Sequence, residues 1–158
     1  MESRKRCCNE QKCVSDLFSA RSAIRKRDID FVSNALHNGG LDVHYLPPGQ
    51  TWTLIHTAAS LGTPELLRLL IRHGAGVNTR DKIYGFGPLT VATLEQKVEN
   101  VACLLELHAN PNEIDWRGHK PMCTARESHG DNFEKIRALL EPVSSPCETC
   151  EKNTLCKE

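Results

Sequence analysis

A block of this chain returns, somewhat worn, after 34 residues, and that self-similarity limits its possible folds more than any other feature. Ile55-His56-Thr57-Ala58-Ala59-Ser60-Leu61-Gly62 lines up with Leu89-Thr90-Val91-Ala92-Thr93-Leu94-Glu95-Gln96. The same offset of 34 joins Leu67 to Val101, Ile71 to Leu105, Ala75 to Ala109 and Asn78 to Asn112. Steps of 35 carry the pattern from Val32 to Leu67 and Leu36 to Ile71 upstream, and from Val101 to Ile136 and Leu105 to Leu140 downstream. Four units are therefore expected.

Each unit changes its local signal in a fixed order. Leu66, Leu67, Leu69, Leu70 and Ile71 fall at helical spacing and end at His73-Gly74, where glycine can supply a left-handed cap. Thr63-Pro64-Glu65 ahead of them supplies an N-cap, a proline at the first helical position and an acid in the first turn. A shorter helix from about Ile55 to Leu61 precedes it, with Thr53 placed to cap its start. Two short helices joined by a tight turn cannot bury both faces alone, so adjacent units must stack. A hydrophobic content of 39% with only 5% aromatic residues is lean for one central core but suits a thin stack packed on small aliphatic side chains.

Thr53-Leu54-Ile55-His56-Thr57-Ala58-Ala59, then Gly62, then Leu69-Leu70-Ile71-Arg72-His73-Gly74-Ala75-Gly76-Val77-Asn78 resembles the ankyrin repeat over its whole length. The third unit, with Pro88-Leu89-Thr90-Val91-Ala92 and Leu104-Leu105-Glu106-Leu107-His108-Ala109-Asn110-Pro111-Asn112, resembles it too. So does the fourth, with Pro121-Met122-Cys123-Thr124-Ala125 and Ile136-Arg137-Ala138-Leu139-Leu140. The first keeps its second helix and Asn38-Gly39-Gly40 but lacks the Thr-Pro-Leu-His opening, as suits a terminal unit with one face to water. The resemblance implies an all-α solenoid of helix-turn-helix units with hairpin loops over residues 16–141, in units of about 16–50, 51–84, 85–117 and 118–141. Residues 1–15 and 142–158 are expected to be flexible tails. His56 has Thr90 and Cys123 at its place in the next two units; as in the family, it is expected to hold its helix start through Thr53. The hairpin around Tyr84 carries one extra residue, and the turn near His129 is longer.

The resemblance also implies a function. Family members bind partner proteins along the hairpin loops and first helices, here the loops His44 to Trp52, Thr79 to Phe86 and Glu113 to Lys120. These carry Tyr45, Trp52, Arg80, Asp81, Tyr84, Phe86, Trp116, Arg117 and His119 as candidate contact residues. Both tryptophans and both tyrosines of the chain lie there, although large rings usually pack inside. Aromatic and arginine side chains are also the commonest binding hot spots. Tyr45 and Trp52 have a competing role as covers for the first unit and a helix end, so Trp116 and Tyr84 are the leading candidates. One or more protein partners are expected, with the chain acting as a monomeric, non-enzymatic adaptor and no cofactor.

Composition and motifs support that exclusion of other classes. Lys plus Arg and Asp plus Glu are 20 each, so no net charge draws the chain to nucleic acid or an anionic membrane. The basic stretch Arg21 to Arg27 is diluted by Asp16, Asp28 and Asp30 and has no stacking platform beside it. No window reaches the roughly 18 apolar residues of a membrane span, and no phosphate loop, zinc-protease helix or nucleophile elbow occurs. Met1-Glu2-Ser3-Arg4-Lys5-Arg6 is not followed by an apolar run, so cytoplasmic or nuclear residence and eight reduced cysteines are expected. Cys103 and Cys123 read as small buried residues.

The remaining six cysteines sit in the tails. Cys7 and Cys8 beside the basic start could carry a lipid. Cys147-Glu148-Thr149-Cys150, with Cys156, has the spacing of a zinc hairpin, although a closed site wants four ligands and each tail offers three thiols. A metal- or thiol-dependent protein that uses the stack only to present Cys147, Cys150 and Cys156 is the alternative reading.

Overall fold

The computed structural model describes residues 10–127 and 131–145, with side chains from residue 14 to 125 and from 131 to 145. Eight helices follow one another among the described residues: α1 (Glu10–Lys26), α2 (Ile29–His37), α3 (Leu54–Leu61), α4 (Pro64–Arg72), α5 (Pro88–Leu94), α6 (Val98–Glu106), α7 (Pro121–Glu127) and α8 (Phe133–Leu140). They pair as α1 with α2, α3 with α4, α5 with α6 and α7 with α8. The first helices pack along one row and the second helices along another, each against its predecessor. This is the four-layer solenoid that the repeat demands.

The second helices show why the sequence folds this way. Pro64 opens α4 with Thr63 at its N-cap and Glu65 in its first turn, and Leu66, Leu67 and Leu70 are fully buried on the face that meets its neighbours. Val101 and Leu104 do the same in α6, Val32 and Leu36 in α2, and Ile136 and Leu140 in α8. Buried apolar side chains from all four layers join in one continuous core. Burial of a leucine or valine side chain contributes about 1.5–3 kcal/mol, so each layer draws its stability from the contact with the next.

Polar ties join the layers where helices end. Asn100, at the start of α6, sends its side-chain amide N–H groups to the carbonyls of Ala58 (3.3 Å), Ala59 (3.0 Å) and Gly62 (3.4 Å), satisfying the last turn of α3 in the preceding unit. Asn78 accepts the Asn110 N–H at 2.8 Å, and Asn112 accepts that of Ser145 at 2.7 Å, so one asparagine position links successive layers twice.

Two expectations change on contact with the structure. Helix α1 reaches back to Glu10, into the segment expected to be a tail. Leu17, Ala20, Ala23 and Ile24 anchor its buried stripe, and residues 10–12 are good helix formers, so extension upstream costs little once that anchor exists. Cys123 is buried as expected but disulfide-bonded, so the chain is not uniformly reduced. Pairing depends on what lies beside the last unit in space, which cysteine spacing along the chain does not encode. Cys103 is a free buried thiol whose Sγ–H donates to the Pro64 carbonyl at 3.6 Å; burial pushes its pKa up, which suits packing rather than reactivity.

Candidate protein-docking ledge

The hairpins between successive units are organised by two buried carboxylates 34 residues apart in sequence, Asp81 and Asp115. Asp81 is 1% exposed. Its Oδ1 accepts the backbone N–H groups of Tyr84 (3.0 Å) and Phe86 (2.9 Å), while its own N–H donates to the Phe86 carbonyl at 2.9 Å. Asp115 repeats the device: Oδ1 accepts from the Arg117 and His119 amides, both at 2.8 Å, and its N–H donates to the His119 carbonyl at 2.9 Å. The Arg117 guanidinium closes onto Asp115 Oδ2 at 3.1 Å. Charged acceptors strengthen such bonds roughly twofold over neutral ones, so each loop is held in one shape.

His56 fastens the first of these hairpins to α3. Its Nδ1 accepts from the Thr53 hydroxyl (2.9 Å) and the Thr53 N–H (3.3 Å), which leaves Nε2–H to donate to the Phe86 carbonyl at 3.0 Å. The ring is fully buried, and burial lowers its pKa against the opposing pull of the Phe86 carbonyl and the Asp81 charge. A neutral histidine is the form that can make all three bonds, which is the capping role expected of it.

The two hairpins are then joined to each other. The Trp116 N–H donates to the Tyr84 carbonyl at 2.9 Å. The Trp116 ring lies directly on Gly85, where a Cβ would meet ring carbon Cδ2 at 2.7 Å, and Gly85 also has φ of 72°. Only glycine meets both conditions without strain. Arg80 places its guanidinium 5.4 Å from the centre of the Trp116 ring and pairs with Glu113 at 2.7 Å, while Tyr84 stacks on Phe86 with ring centres 5.2 Å apart. Tyr84 and Trp116 are nonetheless 56% and 60% exposed.

The nine candidate residues therefore divide. Tyr84, Trp116 and Arg117 face solvent, with Arg80 beside them and His119 partly buried. Asp81 is a correction: its carboxylate is turned onto the loop's own amides and shapes the ledge without offering a surface. Phe86 is partly buried against the core, and so are Tyr45 and Trp52, the latter stacked 6.4 Å from His56. Ile83 and Ile114 were not singled out, yet both are exposed. Each is an aliphatic residue inside a short charged loop, and that is the signal available in the sequence. Cys7, Cys8, Cys147, Cys150 and Cys156 lie outside the described side chains.

A family model for ankyrin repeats (three copies) matches residues 20–115 and 55–154. The chain belongs to the ankyrin repeat family. Among curated relatives, this ankyrin chain is 34% identical over 113 residues to mouse Ankyrin repeat and SOCS box protein 6, covering 67% of the chain but 27% of the relative. It is 30% identical over 119 residues to Drosophila melanogaster E3 ubiquitin-protein ligase Ufd4, with 75% of the chain and 4% of the relative covered. Similarity to human 2-5A-dependent ribonuclease, 31% over 86 residues, spans 54% of the chain and 11% of that protein. The ankyrin chain thus matches only a small part of the length of these proteins. The ankyrin repeat itself is a module for protein–protein interaction. No described helix is long and apolar enough to cross a membrane.

Proposed function

We propose that this ankyrin chain is a non-catalytic adaptor that seats a partner protein on the ledge formed by the Thr79–Phe86 and Glu113–Lys120 hairpins. The observation that carries the reading is a pair of large rings, Tyr84 and Trp116, held in exposed positions by loops whose backbone amides are fastened to the buried Asp81 and Asp115 carboxylates. A surface ordered before binding loses little entropy on docking, and a few aromatic anchors supply most of the affinity. Exposed Lys82 and Arg117 flank the rings and set a basic border.

Affinity capture from cell extract tests this with three baits: the natural chain, Tyr84→Ala/Trp116→Ala, and Glu134→Gln on α8 as a distant surface control. Proteins retained by the first and third baits and lost by the second are expected, with helical circular dichroism equal in all three. Equal capture by all three baits sinks the reading.

A further inference from the structure

The turns that join the two helices of each unit lie at the helix ends remote from the hairpins. Arg27, Gly62, Lys97 and Asn132 lie in these four turns. A groove of about 460 Å³ runs along them, and its walls include Arg27, Lys97, Lys135, Glu99, Val98 and Asn100. Arg27, Lys97 and Lys135 are exposed and make no ion pair among the described residues; Glu99 is the one carboxylate on the wall. The starts of α4 and α6 also lie on this edge.

Asn100 is what separates this groove from an ordinary basic surface. It is 1% exposed. Its amide nitrogen is committed to three carbonyls of the preceding unit, which fixes the orientation of the group. Its Oδ1 is buried with no hydrogen-bond partner, and Asn100 is one of the residues that line the groove. A buried acceptor without a donor costs about 1–3 kcal/mol, so the site favours a ligand that brings an O–H or N–H to this point. Arg27, from the first unit's turn, Lys97, from the third unit's turn, and Lys135, from the first turn of α8, line the same groove.

We propose that this turn-edge groove binds a polyol carrying phosphate groups at more than one position. Its hydroxyl would meet Asn100 Oδ1, and its phosphates would meet the lysines and Arg27. The volume lies within the range of about 300–1,000 Å³ usual for small-molecule sites. Val98 is the apolar contribution to the wall and no aromatic ring lines it, which disfavours a nucleotide base. A polyphosphate without hydroxyls on carbon offers charge alone and leaves the asparagine unanswered.

Isothermal titration calorimetry on the full chain tests this with inositol trisphosphate, tripolyphosphate and unphosphorylated inositol. Binding of inositol trisphosphate is expected to be stronger than that of the other two probes. Lys97→Glu/Lys135→Glu should weaken it by more than about tenfold. Arg27→Gly should weaken it while leaving the fold intact or steadier, because Arg27 has φ of 59° and glycine suits that backbone. No binding of inositol trisphosphate, equal binding of tripolyphosphate, or affinity unchanged in the charge variants overturns the proposal. Sedimentation with phosphatidylcholine vesicles, with and without phosphatidylinositol bisphosphate, distinguishes a lipid headgroup from a free metabolite. Retention displaced by inositol trisphosphate assigns the headgroup as a source, and its absence beside free-ligand binding assigns the soluble compound. Retention that inositol trisphosphate does not displace assigns the attraction to another surface and counts against the groove.

Discussion

The first hairpin and the two that follow it reach order by different means, and the difference explains where the rings end up. At the position that Asp81 and Asp115 hold in their loops, 35 residues before Asp81, the first hairpin has Leu46, whose side chain cannot accept amide hydrogen bonds. Within that loop Asp42 Oδ1 accepts one amide, the His44 N–H at 2.9 Å, and the loop is also clamped from outside: Arg21 on α1 donates to the Gln50 side chain at 2.7 Å and to the Trp52 carbonyl. Its rings, Tyr45 and Trp52, turn inward onto the core. The later loops are ordered from within by their aspartates, so their rings are not needed for packing and stay on the surface. An aromatic residue in a repeat hairpin is thus available to a partner when something else already holds the loop.

The most damaging way to break this contrast is to remove the internal carboxylate. Asp81→Ala is expected to cost about 3 kcal/mol, since two amides lose a charged acceptor inside the protein. Urea denaturation followed by circular dichroism should show it, and a loss below about 1 kcal/mol, the level of an ordinary neutral bond, would remove the aspartate from its organising role. A second comparison sets the tryptophans against each other. Trp116→Ala should lower affinity for a captured partner by about 2 kcal/mol, near thirtyfold, with little change in the urea midpoint. Trp52→Ala should do the reverse, lowering stability and sparing affinity.

His56 sharpens the comparison through pH, because it serves only the second hairpin. Its pKa is lowered by burial, so the unfolded chain takes up the proton first as pH falls. Its stabilising contribution should be complete above the ordinary histidine value of 6.5 and decline as pH drops below it toward the lowered folded value. Urea midpoints measured from about pH 8 to about pH 5 should fall more steeply for the natural chain than for His56→Gln. Parallel slopes would mean that the buried ring is not the titrating group. The smallest effect concerns the third unit, where His108 has φ of 63° at the position that Gly39 (67°) and Gly74 (94°) occupy in the first two. His108→Gly should raise stability by up to about 1 kcal/mol, read as a higher thermal midpoint.

Much of this was legible beforehand, and particular residues show why. Helix α3 begins at Leu54 and ends at Leu61, within one residue of the span read from the Thr53 cap and the following apolar run. Helix α4 starts at Pro64, as the Thr-Pro-Glu signal requires. Capping and periodicity are short-range properties, so neighbouring residues specify them. The pairing of Asp115 with Asp81 was also readable from the shared offset, although only Asp81 was chosen. The division of the rings was not readable, because Trp52 and Trp116 occupy similar loops and differ in what other layers place beside them.

Residue order alone determined the four layers and the side of each second helix that would be buried, because a repeated pattern of caps and apolar positions leaves one economical way to stack. Tertiary structure decided which loop side chains meet water, that Asp81 faces inward, that Cys123 is bridged and that Asn100 keeps an unanswered oxygen beside three cations. These depend on atoms brought together from units about 35 residues apart. No local pattern carries that information, since a side chain's exposure belongs to its neighbours in space.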